Sequence, residues 1–428
     1  MTMLIMLLVL IVALIIGIPA VFSMGIATLI YFLLERGLFD IPHYMVVQRT
    51  VFGLDSFTLL AIPLFLLVGK VMNESNVTTR LFDFAKALVG HFRGGLGQVN
   101  IAASVIFAGM SGSATADAAG LGSVEIKAMK DAKYPGKFAA SITAASSLIG
   151  PIIPPSIPVV LYAIVSGVSV NKLLVAGIIP GLLMAISLSV FVAFQAMKNN
   201  YPTEAKASMS KLWYTAKRAF LPGLTPVILI GGILSGVFTA TEAAAVGSLY
   251  AIILSTVVYR TISLRHMYDI FKRTMRDSAV IMIILAVANV FAWILTRERV
   301  PILFVDLITS FTENYYVVMG LCLIFLLILG MFLSSIVSIT IATPVLVPLV
   351  LEVGGDPLHF GIIMIVALMI GEITPPFGMV LFAITRVGDI PFIDLVRGVV
   401  PYIIPVFILL IILIIFPALV TVLPTLFL

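Results

Sequence analysis

The chain has 428 residues, of which 61% are hydrophobic and only 11% are charged, and its formal net charge is +5. A soluble domain carries about 25% charged residues, so this composition excludes a water-soluble globular protein, and its high hydrophobicity excludes a disordered one. The single cysteine, Cys322, excludes a disulfide scaffold. The composition indicates a helical protein with many membrane spans, whose small spread-out positive charge gives no reason to expect a nucleic-acid partner.

Stretches without Asp, Glu, Lys or Arg mark the predicted membrane segments. A transmembrane helix needs about 20 apolar residues, and the first neutral stretch is too long for one perpendicular span. Its Gly17-Ile18-Pro19 sequence predicts two helices joined by a tight turn, and Gly236 predicts a similar break later in the chain. The neutral stretches are 1–34, 94–116, 138–171, 173–197, 219–241, 278–296, 314–351 and 398–428.

Clusters of small and hydroxyl-bearing residues interrupt two neutral stretches, at 109–120 and 330–340. Each cluster is flanked by about ten apolar residues or slightly more on either side, which is too few for two full spans. We therefore predict two re-entrant helical hairpins, at about 97–131 and 315–351. Their tips must be buried in protein or line a wet cavity, because unpaired backbone in lipid costs several kcal/mol per group.

The two halves of the chain contain an internal repeat. The segment 149–181 aligns without gaps onto 370–402, at an offset of 221 residues. Each copy contains a Pro-Pro pair, which predicts a broken helix at about 137–168 and again at about 358–386. The same offset carries Ser113 onto Ser334. The matched Gly and Pro pairs are Gly150/Gly371, Pro154/Pro375, Pro155/Pro376, Gly167/Gly388, Gly177/Gly398 and Pro180/Pro401.

The charge distribution predicts the topology of these units. The base of the first hairpin carries four lysines, whereas the equivalent stretch 345–359 has no Lys or Arg. By the positive-inside rule, the first hairpin opens from the cytoplasm and the second from the outside, and both termini are periplasmic. The predicted domains are a first inverted repeat at 1–197, an amphipathic cytoplasmic connector at 198–220 and a second inverted repeat at 221–428. Such repeats are typical of secondary transporters that use alternating access.

Two motifs resemble the large membrane subunit of tripartite ATP-independent periplasmic transporters. They are Ser-Gly-Ser-Ala-Thr-Ala-Asp within 109–131 and Gly-Pro-Ile-Ile-Pro-Pro-Ser within 144–157, and the similarity extends over nearly the whole chain, including Gly371-Glu372-Ile373-Thr374-Pro375-Pro376. The resemblance implies an elevator-type, ion-transporter-superfamily-like fold in the bacterial inner membrane, driven by two or more sodium ions. No phosphate-binding GxxxxGK[ST] motif is present, so we expect no nucleotide.

The resemblance also implies two partners, a small four-helix membrane subunit and a periplasmic solute-binding protein. The solute would be a small carboxylate-bearing metabolite. The tip sequence Ala-Asp-Ala-Ala-Gly-Leu-Gly resembles the sialic-acid branch of the family more than the C4-dicarboxylate branch. Because the chain begins directly in its first span, we expect that the small subunit is not fused in front of it.

Hydroxyl groups and freed backbone carbonyls at the tips and breaks are the oxygen ligands that sodium prefers. We predict one sodium site per repeat, each made by a tip and its own break. The alternative is that small residues only let the helices pack closely. The first site comprises Ser113, Thr115, Ser146, Ser147 and Gly150. The second comprises Ser334, Ser335, Ser338, Gly371 and Thr374.

Four residues are predicted to contact the substrate: Ser113, Asp117, Ser156 and Arg297. An ionisable residue such as Asp117 in a membrane segment is functional by default, although an Asp can also cap a helix. Arg297 can hold a carboxylate with two parallel hydrogen bonds, or it can anchor a helix at the membrane interface. The resemblance favours the first role. For Glu372 and Glu242 we expect structural hydrogen bonds.

Other functional classes fit the sequence less well. A stand-alone sodium-coupled anion symporter would share the fold and need no binding protein. An intramembrane serine protease is suggested by Gly109-Met110-Ser111-Gly112, but a serine nucleophile needs a general base. The histidines, at positions 43, 91, 266 and 359, lie in predicted loops or at helix edges. A channel is disfavoured because two hairpins entering from opposite sides suit alternating access better than an open pore.

Overall fold

A computed structural model describes residues 1–37, 40–75, 77–199 and 201–428. These residues form helices and connections, with no strand among them, so the all-helical prediction is confirmed. Eight helical segments of this part of the chain are long and apolar enough to cross a membrane, which confirms a multi-pass membrane protein. They are Phe57–Glu74, Val170–Asn199, Met209–Leu234, Ala240–Val258, Leu264–Arg297, Tyr315–Phe332, Ser335–Glu352 and Phe392–Ile415.

The first half of the chain builds the helices α1 to α12. They are α1 (Thr2–Ile15), α2 (Ala20–Arg36), α3 (His43–Phe52), α4 (Ala61–Glu74), α5 (Val77–Val89), α6 (Leu96–Ser111), α7 (Ala114–Ala119), α8 (Leu121–Asp131), α9 (Gly136–Ser146), α10 (Ile157–Ser166), α11 (Val170–Ala176) and α12 (Ile178–Asn199).

The second half builds the helices α13 to α22. They are α13 (Met209–Leu234), α14 (Ala240–Ile253), α15 (Leu264–Arg297), α16 (Val300–Thr309), α17 (Tyr315–Phe332), α18 (Ser335–Glu352), α19 (Pro357–Glu372), α20 (Met379–Gly388), α21 (Phe392–Ile415) and α22 (Ala418–Phe427). A π-helical turn, Leu254–Val258, extends α14.

Both turns predicted from glycine are present. Gly17 lies between α1 and α2 with a φ of 91°, and Gly236 lies between α13 and α14 with a φ of 69°. These left-handed conformations favour glycine because a side chain would meet the following carbonyl. Thr239 and Glu242 form a reciprocal capping box at the start of α14. Glu242 thus makes structural hydrogen bonds, as expected from the sequence.

The two helical hairpins follow the repeat. In the first, α6 turns back into α7 and α8; in the second, α17 turns back into α18. The returning arm runs from Ala114 to Asp131 in the first hairpin and from Ser335 to Glu352 in the second, at the same offset of 221 residues. Gly120 separates α7 from α8, whereas α18 is continuous.

The arms of the second hairpin are longer than the sequence suggested. Both α17 and α18 have 18 residues and count among the eight segments that could cross a membrane, since 18 residues rise about 27 Å. The helices continue through the edges of the polar cluster, so counting only apolar residues underestimated their length. The depth at which the tips stop in a bilayer therefore remains a prediction.

Both Pro-Pro breaks divide a helix close to the predicted bounds. In the first repeat, α9 leads through a 3₁₀ turn, Ser147–Ile149, into the irregular segment 150–156, after which α10 begins. In the second, the segment 373–378 separates α19 from α20. Most of the α19 residues are buried, as expected for a helix that is hydrophobic all round, so the second break lies at the end of a core helix.

The predicted connector at 198–220 is divided differently. Residues 201–208 are not helical, and the following residues form the first turns of α13, which continues to Leu234. The amphipathic character expected there therefore belongs to one end of a long helix. Trp213 and Tyr214 are exposed on it, as suits a membrane–water interface.

Candidate functional site

The first hairpin tip is shaped by a glycine and a serine. Gly112 ends α6 in a left-handed conformation, with a φ of 66°, and Ser113 follows in an extended one. The Ser113 hydroxyl accepts a hydrogen bond from the amide of Ala116 at 3.4 Å, so it caps α7. This is the usual role of serine at a helix start, and it leaves a hydroxyl at the very tip.

The second tip is held by a carboxylate from the neighbouring break. Leu333 and Ser334 are extended between α17 and α18. Oε1 of Glu372, at the end of α19, accepts a hydrogen bond from the amide of Ser335 at 2.9 Å. The expected structural hydrogen bond of Glu372 is thus present, and it ties the second tip directly to the second break.

Each tip is also bound to its own break through the backbone. The amide of Ile157 donates to the carbonyl of Gly112, and the amide of Gly378 donates to the carbonyl of Met331, both at 3.3 Å. The two donors are related by the repeat offset. The sequence prediction that each tip pairs with its own Pro-Pro break is consistent with this geometry.

Two repeat-related glycines allow these close approaches. A Cβ on Gly371 would collide with the backbone of Gly330 and Met331 in the second hairpin. A Cβ on Gly150 would collide with the carboxylate of Asp117 in the first. In each repeat a glycine of the break therefore permits contact with the hairpin, although one meets backbone and the other a side chain.

The two tips, the first break and the helix ends on either side of the second break line a small cavity, which we call the central cavity. Its volume is about 100 Å³. Ligand pockets are commonly about 300–1,000 Å³, so a solute could enter only if the tips separated. The lining residues are Gly112, Ser113, Ala114, Thr115, Pro151, Ile157, Pro158, Ser334, Ser335, Ile336, Glu372 and Met379.

The residues predicted for the first sodium site lie around the first tip, but only some face the central cavity. Ser113 and Thr115 line it, with their hydroxyl oxygens 3.2 Å apart. Ser146 donates to Oδ1 of Asn100 at 2.6 Å, and Ser147 donates to the carbonyl of Ala144 at 2.9 Å. Because both serines act as donors, their oxygen lone pairs remain available to a cation. Gly150 completes the group beside Asp117.

Asp117 is the most unusual side chain of the first tip. It is 2% exposed, and neither of its carboxylate oxygens has a hydrogen-bond partner among the described residues. The Ser111 hydroxyl is also buried and has no hydrogen-bond partner within these described residues. A buried carboxylate without donors is costly unless a cation or a proton compensates it. Asp117 lies in the first turn of α7, but it is Ser113, not Asp117, that caps this helix.

The residues predicted for the second sodium site have a similar distribution. Ser334 and Ser335 line the central cavity. Ser338, one turn further along α18, is fully buried, and its hydroxyl has no hydrogen-bond partner in the described part of the chain. It occupies the position that the repeat offset relates to Asp117. Thr374 donates to the carbonyl of Ile370 at 2.6 Å. Gly371 lies against the hairpin backbone.

The structure does not bring Ser156 or Arg297 to the central cavity. The Ser156 hydroxyl caps α10 by accepting from the amide of Val159 at 3.2 Å, and it also donates to the carbonyl of Pro151. The Arg297 side chain is exposed at the end of α15, with its guanidinium carbon 5.4 Å from the centre of the Trp293 ring. This geometry favours the interface-anchor alternative for Arg297.

A buried polar network behind the first tip was missed from the sequence. Nδ2 of Asn100 donates to Oε2 of Glu125 at 2.8 Å and to the hydroxyl of Thr143 at 2.7 Å, while Oδ1 accepts from Ser146. All four residues are at most 1% exposed. The network joins both arms of the first hairpin to α9. Asn100, a polar residue inside the neutral stretch 94–116, is the sequence signal that could have indicated this network.

Comparison with known proteins identifies relatives of the whole chain. A family model described as "Tripartite ATP-independent periplasmic transporter, DctM component" matches residues 7–419. The sialic acid TRAP transporter large permease protein SiaM of Vibrio cholerae is 48% identical over 96% of each chain. The sialic acid TRAP transporter permease protein SiaT of Haemophilus influenzae is 39% identical, over 96% of this chain and 66% of its own length.

More distant relatives broaden the range of solutes and structures. The C4-dicarboxylate TRAP transporter large permease protein DctM of Pseudomonas aeruginosa is 38% identical over 86% of this chain and 87% of its own. Among solved structures, the Alcanivorax borkumensis YdaH transporter superposes with a TM-score of 0.62 at 15% identity, covering 90% of both chains. Neisseria gonorrhoeae MtrF superposes with a TM-score of 0.56 at 14% identity, covering 90% of this chain and 85% of its own. These two likenesses concern the fold alone.

Proposed function

Because the chain belongs to the family of the DctM component of tripartite ATP-independent periplasmic transporters, we propose that it imports a small carboxylate-bearing solute on a sodium gradient. Sialic acid is the favoured solute and a C4-dicarboxylate the next. The 48% identity to the sialic acid permease of Vibrio cholerae supports this order. The chain acts in the bacterial inner membrane with a small four-helix membrane subunit, and a periplasmic binding protein delivers the solute.

The observation that carries the proposal is the central cavity. Hydroxyl groups of both tips, from Ser113, Thr115, Ser334 and Ser335, meet there beside the Pro-Pro breaks. Small polar residues and irregular backbone at the meeting point of two repeats are typical of secondary-transporter binding sites. The two tips, entering the bilayer from opposite sides, separate in turn to admit the solute and release it. An elevator movement of the hairpins and broken helices would carry it across.

Sodium supplies the driving force in this proposal. Importing one negative charge against 100 mV, inside negative, costs about 2.3 kcal/mol. Two or more sodium ions that enter with the solute reverse the sign of the transported charge, so that the same potential favours uptake. The side-chain oxygens of Asp117 and Ser338, at repeat-related positions, have no hydrogen-bond partner among the residues that the structure describes, which supports one ion beside each tip.

Transport by reconstituted vesicles tests the proposal. Vesicles contain this chain and the small subunit, with the binding protein and labelled sialic acid outside. We expect uptake with an inward sodium gradient and only background uptake when choline replaces sodium. Equal uptake in choline would refute sodium coupling. Uptake of a labelled C4-dicarboxylate but not of labelled sialic acid, under the same sodium gradient, would refute the favoured solute.

The alternative function is a stand-alone symporter. Leaving the binding protein out of the assay distinguishes it from the proposed transporter. The same vesicles are assayed without the binding protein at an equal solute concentration. We expect uptake to fall to background, because delivery depends on docking of the loaded binding protein. Undiminished uptake would favour the symporter.

A further inference from the structure

A large apolar groove runs along α1 and opens beside the second hairpin. Its volume is about 710 Å³. We call it the lateral groove, and Ser334 is the only residue of its lining that has a polar side chain. The lining residues are Ile11, Leu14, Ile15, Gly17, Ile18, Pro19, Ala20, Ile328, Leu329, Phe332, Leu333, Ser334, Val337, Phe377 and Met379.

The lateral groove opens onto an exposed apolar surface of α1 and α17. Ile15 on α1 is 78% exposed, and Ile328 and Phe332 on α17 are each 51% exposed, so the mouth is bordered by large apolar side chains. Apolar side chains exposed on membrane helices contact lipid hydrocarbon. Water in such a groove would find almost no hydrogen-bonding partner, and no lining residue is charged to hold a headgroup or a charged peptide.

The groove also reaches the proposed transport site. Ser334 and Met379 line both the lateral groove and the central cavity. An occupant of the groove therefore contacts the second tip at Ser334, next to the central cavity. A fluid occupant can adjust or leave when the tip moves, whereas a second polypeptide packed there would hold the tip in place.

From these observations we propose that the lateral groove is a binding site for the acyl chain of a bilayer lipid, which seals the central cavity from the membrane at the second tip. The sealing role rests on the proposed transport function; the binding itself does not. From Ile11 to Ile15 the groove follows α1 for about 6 Å, which accommodates part of one chain.

Photolabelling tests the binding. The full chain is placed in phosphatidylethanolamine and phosphatidylglycerol vesicles that contain a phospholipid with a mid-chain diazirine, and labelled residues are identified by mass spectrometry after illumination. Val337 and Ala13 are both 6% exposed, but only Val337 lines the groove. We expect label on Val337 and none above background on Ala13.

A matched pair of variants on α1 locates the bound chain. Leu14→Trp fills part of the groove, whereas Leu8→Trp adds the same bulk at a residue that does not line it. Displacing two methylenes should lower Val337 labelling about tenfold in Leu14→Trp, because each buried methylene contributes affinity. Leu8→Trp should label as the original chain does.

Three results would overturn the proposal. Val337 could remain unlabelled in the original chain while exposed residues such as Ile15 are labelled. Labelling could be the same in Leu14→Trp and the original chain. Finally, Val337 could be labelled no more than Ala13, which does not line the groove. None of these readouts requires transport, so failure of the lipid site and failure of the transport function are distinguishable.

Discussion

Replacing Asp117 by Asn tests the electrostatics of the first tip. The carboxylate is 2% exposed, neither oxygen has a hydrogen-bond partner among the described residues, and it lies against Gly150 of the first break. The amide is nearly the same size, so the tip should keep its shape. The negative charge is lost, and an amide NH2 group replaces one carboxylate oxygen. This group is a hydrogen-bond donor and repels a cation.

The size of the effect follows from the burial. A hydrogen bond to a charged group contributes about 1.5–3 kcal/mol net, and we take this as the scale of the interaction between the carboxylate and sodium. Because the carboxylate has no other partner among the described residues, a value in the lower half of this range is a conservative choice. A loss of about 2 kcal/mol of sodium affinity corresponds to an increase of about 30-fold in the half-saturating sodium concentration. Uptake at ten times the original chain's half-saturating sodium concentration should therefore fall to about a quarter of the original level.

The assay is a sodium titration of solute uptake in reconstituted vesicles. Asp131→Asn is the matched control, because Asp131 is exposed at the base of the same hairpin and receives the same substitution. Thermal unfolding without sodium gives a second readout. Asp117→Asn should be at least as stable as the original chain there, because it removes an uncompensated buried charge. An unchanged sodium half-saturation, together with lower stability, would refute the reasoning and indicate a structural role for Asp117.

Three further substitutions have defined outcomes in the same uptake assay. Gly150→Ala should abolish uptake because its Cβ collides with the tip carboxylate, while Gly223→Ala, with open space around it, should not; equal uptake would contradict the close approach. Glu372→Gln should lower uptake about tenfold, since the hydrogen bond to the Ser335 amide loses its charge, and full uptake would show that this bond does not order the tip. Arg297→Lys should retain most of its uptake if the residue anchors the interface, and a loss comparable to that of Gly150→Ala would restore a substrate-binding role.

The architecture was largely predictable because it depends on local signals. Neutral stretches, Gly turns and Pro-Pro pairs each act on the backbone within a few residues, so the turns at Gly17 and Gly236 and the two Pro-Pro breaks could be located from the sequence. The repeat offset was equally visible, since it matches Gly with Gly and Pro with Pro. Arm length in the second hairpin was underestimated because Ser334 and Ser335 lie at the turn itself, and helix α18 continues through later serines and threonines whose hydroxyls bond to their own helix or are buried.

The arrangement around the site depended on contacts that sequence spacing does not encode. The prediction grouped each tip with its own break, and the backbone hydrogen bonds of Ile157 and Gly378 are consistent with it. The two tips also line the same cavity, and this arrangement depends on the tertiary structure, which sequence spacing does not encode. Asn100 and Glu125 are 25 residues apart and meet only when the hairpin closes. Arg297 was assigned from its chemistry and from the family resemblance, and in the structure its side chain lies at the end of α15, outside the lining of the central cavity.

The central claim is that the solute binds between the two tips together with sodium, and cysteine protection measures this most directly. Ile336 lines the central cavity without being a predicted ligand, and Ser310 is exposed outside it. Alkylation of Ile336→Cys should slow about tenfold when sodium and sialic acid are both present, but not with either alone, while Ser310→Cys should be unaffected. The native Cys322 is buried and gives little background. Equal alkylation rates of Ile336→Cys with and without sodium and solute would contradict the claim.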